Sequence, residues 1–129
     1  MKLMGIDYGS KRIGIALSDD GGEMAFPKEV LLNDKKLQQN LEKIILENGV
    51  EKIILGESLD FQNKPNLIMK EVIPFKEVLE EKFKLPVFFE PEFMTSQEAV
   101  HIQGEKKSID ASAAAIILQS FIEKTQKND

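Results

Sequence analysis

Hydrophobic and polar positions change period along this chain, and the changes mark out its elements. Residues 2–8 and 12–18 alternate in short apolar runs around a tight turn and read as two paired strands. Residues 24–32 predict a third strand, in which Pro27 implies a sheet edge or a bulge. Asn33 and Asp34 are helix-starting residues. Leu37, Leu41, Ile44 and Ile45 then recur at helical spacing, and Asn48-Gly49 closes that helix. Lys52-Ile53-Ile54-Leu55-Gly56 predicts a short buried strand, followed by a polar loop over 57–65. Ile68, Val72, Phe75, Val78, Leu79 and Phe83 form the apolar stripe of a second helix from about Asn66 to Lys84, kinked or restarted at Pro74. Leu85 to Phe89 predicts the last strand. Thr95-Ser96-Gln97-Glu98 has the form of a capping box opening a short helix. A polar loop over 103–108 leads to an Ala-rich final helix from Asp110 to about Lys124. The order βββαβαβα predicts an α/β domain with a mixed five-stranded sheet and helices on its faces.

The 129 residues suit one domain spanning 1–129, and no linker, repeat or low-complexity tract divides them. A hydrophobic content of 42% supports a real core. No apolar run is long enough to span a bilayer, and the start reads as a strand instead of a signal peptide, so a cytoplasmic location with no membrane partner is expected. With no cysteine and one histidine, His101, any metal site must be built from oxygens, which favours magnesium or manganese. The net charge of −5 argues against a protein that coats nucleic acid non-specifically. It leaves room for an acidic metal centre with a local basic rim.

The most informative chemistry lies in Met4-Gly5-Ile6-Asp7-Tyr8-Gly9-Ser10-Lys11-Arg12-Ile13-Gly14 and the residues after it, through Asp19. Asp7 interrupts an apolar strand, and a buried carboxylate is costly unless it is paired or holds a metal. Gly9 and its neighbouring glycines allow close backbone approach, and Lys11 and Arg12 at the turn can face a phosphate. The pattern suggests metal-dependent work on a phosphate-bearing substrate. The alternative is a surface hairpin whose Asp caps its turn.

Four ordered segments resemble the YqgF/RuvX family, relatives of RuvC-type Holliday junction resolvases with an RNase H-like fold. They are Gly5 to Asp19; the buried strand ending at Gly56 with its polar loop; Glu92 followed by Met94-Thr95-Ser96-Gln97-Glu98-Ala99; and Ile109-Asp110-Ala111 through Leu118. The resemblance covers nearly the whole chain. It implies that Asp7, Glu92 and Asp110 are catalytic metal ligands, holding two Mg2+ or Mn2+ ions for phosphodiester cleavage. Asp110 also fits as a first-turn charge complementing its helix dipole. Thr95 and Ser96, at a helix start, are candidate phosphate contacts together with Gly9, Lys11 and Arg12. Glu98 reads as the capping partner of Thr95, and His101 as a half-exposed helix residue or a general base.

The chain also departs from the family pattern. Pro91-Glu92-Phe93 stands where the family has Asp-Glu-Arg, so an acid and an arginine are missing. Glu57, in Glu57-Ser58-Leu59-Asp60, is a new acid that serves either as a fourth ligand or as a solvated loop residue. The function implied is a metal-dependent endonuclease acting on structured nucleic acid, above all in maturation of the 5′ end of pre-16S rRNA, with the small ribosomal subunit as a partner. The alternatives are a Holliday junction resolvase and a catalytically degenerate nucleic-acid-binding module. A resolvase of two symmetric strands acts as a homodimer, so a monomer favours the RNA reading. An actin-like or sugar-kinase ATPase also shares Gly5-Ile6-Asp7-Tyr8-Gly9, but such enzymes need two domains around a nucleotide.

Overall fold

The computed structural model describes residues 1–93 and 107–127, with side chains described for 1–93 and 111–126. Strands β1 (Leu3–Tyr8), β2 (Arg12–Ser18) and β3 (Ala25–Leu32) are followed by helix α1 (Leu37–Asn48). Then come β4 (Lys52–Leu59), α2 (Met69–Phe83), β5 (Val87–Phe93) and α3 (Lys107–Lys127). They build one five-stranded sheet in the order β3-β2-β1-β4-β5. The first three strands are antiparallel neighbours, whereas β4 pairs parallel to both β1 and β5. The sheet is therefore mixed, as the element order predicts.

Pairing on the two faces follows the period of two in each strand. Met4, Ile6, Ile13, Ile15, Ile53 and Leu55 meet Leu41, Ile44, Val72 and Leu79 of α1 and α2 in the larger core. Leu3, Ala16 and Ile54 face the other way and pack with Ala114, Ile117, Leu118 and Ile122 of α3. Small residues let α3 come close. A Cβ placed on Gly5 would lie 2.7 Å from Leu118 Cβ and 2.9 Å from the Ala114 carbonyl oxygen. Glu90, buried in β5, fastens the same helix by accepting bonds from Ser120 Oγ (2.8 Å) and Lys124 Nζ (2.6 Å). Phe88 stacks on Phe121 nearby, with ring centroids 6.0 Å apart.

Pro27 meets both expectations for a strand proline. β3 is the sheet edge, and its register jumps from Ile15↔Glu29 to Ala16↔Pro27, which leaves Lys28 as a bulge. Gly49 ends α1 in the left-handed conformation at φ 64°, with its N–H donated to the Ile45 carbonyl.

Several boundaries move. α1 starts at Leu37, and neither Asn33 nor Asp34 caps it. Asp34 instead closes a local turn onto the Lys36 N–H, and Asn33 Nδ2 donates to the Gly9 carbonyl at 3.0 Å. α2 begins at Met69, because buried Asn66 is held back by Ser58: its N–H reaches the Ser58 carbonyl and its Nδ2 the hydroxyl. Pro74 sits inside α2 on its exposed side, where water can satisfy the carbonyl it leaves unpaired. β4 runs on to Leu59 and β5 to Phe93, so Glu57 and Glu92 are strand residues. α3 begins at Lys107, three residues before Asp110. The capping box at Thr95, and the loop residues 103–106, lie outside the described residues. Among the described residues, no helix is long and apolar enough to cross a membrane.

Candidate active site

The carboxyl ends of parallel strands are where an open α/β sheet gathers a site. Asp7 stands one residue from the end of β1, paired with Gly14, and is only 4% exposed. Carrying the β1–β4 register one residue beyond its last pair, Ile6↔Leu55, sets Asp7 beside Gly56. Gly56 pairs with Glu90 and Ser58 with Glu92, so alternation puts Asp7, Gly56, Glu90 and Glu92 on the α3 face. Contacts agree with this: a Cβ on Gly56 would lie 3.6 Å from Glu92 Oε2 and 2.8 Å from Ile117 Cδ1. Two acids from different strands thus flank one glycine.

Their environments differ. Burial alone pushes the Glu92 carboxyl up from 4.5 to about 7. Glu90, two residues earlier on the same face, is occupied by Ser120 and Lys124. Buried Asp7 and half-buried Glu92 form an all-oxygen donor set in which a divalent cation would offset the partial burial of Glu92's charge. Asp110 lies in the first turn of α3, whose later turns cross Gly5 and Gly56 through Ala114, Ile117 and Leu118. Its side chain lies outside the described residues. Among the described residues, no group of three or more potential ligands gathers.

Glu57 does not join this pair. It is a half-buried β4 residue aligned with Pro91, on the face that carries α1 and α2. Adjacent strand residues point to opposite faces, so alternation separates Glu57 from the face of Asp7 and Glu92. Tyr8 points to that same second face, donates to Glu71 Oε1 at 3.1 Å and packs against Phe75 at 4.9 Å. Burial is the main cause that raises the Tyr8 phenol above its usual range.

The turn from Gly9 to Arg12 is braced from β3: Asn33 Nδ2 holds the Gly9 carbonyl and the Asn33 N–H holds the Lys11 carbonyl at 2.9 Å. Lys11 is exposed and Arg12 half-buried, at the same end of the sheet as Asp7. Thr95, Ser96, Glu98 and His101 lie outside the described residues. Sequence reasoning missed the brace, having given Asn33 to the helix. It also missed Glu90, whose only signal is an acid in an apolar run.

A β3-β2-β1-β4-β5 mixed sheet of this topology, with acids at the ends of central β1 and edge strand β5, defines an RNase H-like α/β domain. Thermus thermophilus RuvC, solved with a Holliday junction substrate, has this fold at a TM-score of 0.61 and 16% identity, over 98% of this chain and 96% of that one. The chain belongs to the RuvX family, whose description is Holliday junction resolvase and whose model matches residues 1–124. Curated relatives are named, provisionally, as pre-16S rRNA nucleases. One from Lawsonia intracellularis is 35% identical over 98% of this chain and 96% of its own length. Another, from Nitratidesulfovibrio vulgaris, is 36% identical over 95% and 93%. The chain is accordingly a nuclease, a hydrolase of phosphodiester bonds.

Proposed function

We propose that this nuclease is a cytoplasmic, divalent-metal-dependent endonuclease that cuts structured RNA and matures the 5′ end of pre-16S rRNA, meeting its substrate on the small ribosomal subunit. The observation that carries the reading is the pair of carboxylates, buried Asp7 and half-buried Glu92, on one face beside Gly56. The names of the relatives support the choice of RNA.

In this reading Asp7, Glu92 and Asp110 are the ligands of Mg2+ or Mn2+, two ions in all. When bound, such ions supply the charge that activates a water and stabilises the leaving oxygen of an in-line displacement. The chain's own part is to hold acids from two strands and one helix on a rigid sheet. Lys11 and Arg12, on a turn fixed by Asn33, orient the phosphate backbone. Thr95 and Ser96 add phosphate contacts in the same proposal. Glu57, on the other face, takes no part.

The family description favours a second reading, resolution of DNA junctions by a homodimer. The test is cleavage of a labelled pre-16S rRNA 5′ leader and of a synthetic four-way DNA junction, in magnesium or manganese, by wild type and Asp7→Asn. Leader cleavage that the variant loses supports the proposal. Cutting of the junction alone replaces it with a resolvase. No cleavage of either by folded protein leaves a degenerate nucleic-acid-binding module.

A further inference from the structure

Ser58 is a buried polar residue on the face of the site, only 3% exposed. It follows Gly56 by two residues in β4, so its side chain shares the face on which a Cβ at Gly56 would meet Glu92 Oε2 at 3.6 Å. Glu92 is its partner in the unbroken β4–β5 register. Neighbouring strands lie about 4.8 Å apart, so the Ser58 and Glu92 side chains leave the sheet side by side. Asp7 stands one step back, beside Gly56.

The loop after β4 is folded to bring one more group to Ser58. The Asp60 N–H donates to the Lys64 carbonyl at 2.7 Å, and Asp60 Oδ1 accepts from the Gln62 and Lys64 N–H groups at 2.8 and 3.0 Å. Asn63 takes the left-handed conformation at φ 66°. Pro65 then bridges Leu59 antiparallel, which carries Asn66 alongside Ser58. The Asn66 N–H donates to the Ser58 carbonyl at 2.9 Å, and Asn66 Nδ2 donates to the Ser58 hydroxyl at 3.0 Å.

A hydroxyl has one proton to give and two lone pairs to receive. Asn66 fills a lone pair, which fixes the oxygen, and the Ser58 proton meets no acceptor among the described residues. A buried donor left unspent is costly. Its neighbour in register is a carboxyl group on which burial is the only influence at work, with no hydrogen bond to its charged form. Donor and acceptor are adjacent and each lacks a partner for this bond.

We propose that Ser58 is the positioning residue of Glu92: its hydroxyl, fixed by Asn66, donates to the Glu92 carboxylate and orients it as a metal ligand. The inference rests on the reading of Glu92 as a ligand and deepens it. A carboxylate oxygen taken by the hydroxyl leaves the other to face the cation, so the bond decides which oxygen binds. Hydrogen-bond partners of ligating carboxylates commonly matter about tenfold or more for metal affinity.

The test is Mn2+ binding to the full chain, followed by water-proton relaxation, which needs neither substrate nor turnover. Manganese held by wild type and lost in Asp7→Asn upholds the metal reading. No binding by folded wild type sinks that reading and the role of Ser58 together. Given binding, Ser58→Ala is expected to weaken it about tenfold. This variant should stay folded and melt a few degrees lower in chelator, because Asn66 Nδ2 loses its acceptor. Ser58→Thr keeps the hydroxyl and is expected to bind as wild type does. In a Glu92→Gln background, Ser58→Ala is expected to cost less than about twofold, since the carboxylate it serves is gone. Should Glu92→Gln hold no manganese, the Ser58→Thr comparison decides. Wild-type affinity in Ser58→Ala, an equal loss in Ser58→Thr, or the full tenfold loss in the Glu92→Gln background would each overturn the assignment while the metal reading stands.

Discussion

The Glu92 carboxylate lies over Gly56, so that a Cβ there would come within 3.6 Å of Glu92 Oε2. The same Cβ would meet Ile117 Cδ1 at 2.8 Å, the free end of a flexible side chain. At Gly5 the obstacles are the Ala114 carbonyl and the Leu118 Cβ, which move only if α3 moves. Gly5→Ala is therefore expected to destabilise by about 2–3 kcal/mol and Gly56→Ala by about 1 kcal/mol. Gly56→Ala should nonetheless lose more cleavage per kcal/mol, because Ile117 is pushed toward Glu92. Urea melts with parallel cleavage assays check both orders, and a Gly56→Ala protein that is as active as wild type would remove the glycine from the site.

Stability without divalent metal should fall as pH rises through Glu92's titration. The folded chain keeps this proton up to about pH 7, whereas the unfolded chain releases it near 4.5. Between those values the folded state binds more protons, so the slope of stability with pH is negative, and it levels off above 7. Glu92→Gln is expected to remove this slope and to add about 2 kcal/mol at pH 8 in chelator. Urea midpoints from pH 4 to 8 for both proteins measure it. Identical pH profiles would show that the Glu92 carboxyl is not held up by burial.

Asp7→Asn should fold and should cleave at least about 100-fold more slowly, since it exchanges a proposed ligand for a neutral amide of the same shape. Relief of repulsion between neighbouring acids is expected to leave its melting temperature equal or higher. Normal cleavage in magnesium by this variant would refute the metal assignment.

Arg12→Ala is expected to weaken RNA binding across sequences and to reduce the log affinity against log salt slope by about 1, the signature of one lost phosphate contact. Arg12 is half-buried, so a thermal melt accompanies the titration. An unchanged salt slope would exclude Arg12 from the contact surface.

The periodic pattern carried the element order, because burial of one stripe or one alternate face must repeat with the geometry of the backbone. Leu41, Ile44 and Ile45 on α1, and Ile53 and Leu55 on β4, are buried as their spacing requires. Pro27 announced an edge for a covalent reason, the missing N–H. Ends were harder to read. β5 runs four residues past Phe89 because Glu90, Pro91, Glu92 and Phe93 pair with Gly56 to Leu59, and no local propensity favours that stretch as a strand. Asn33 and Asn66 were open to tertiary partners, Gly9 and Ser58, that sequence order does not bring near.

By itself the sequence determined the mixed α/β order, the oxygen-only chemistry and the candidate acids Asp7, Glu92 and Asp110. Tertiary structure alone decided which carboxylates share a face. Glu57 and Glu92 are equally acidic on paper. Strand alternation sends Glu57 toward α1 and α2, whereas Glu92 sits over Gly56 with Asp7 alongside. Only the paired register could show that Glu90 clamps α3 while Glu92, two residues on, lies over Gly56 with its carboxyl pushed up by desolvation. A carboxylate's role is fixed by what lies within a few ångströms of it, and residues far apart in the chain supply those neighbours.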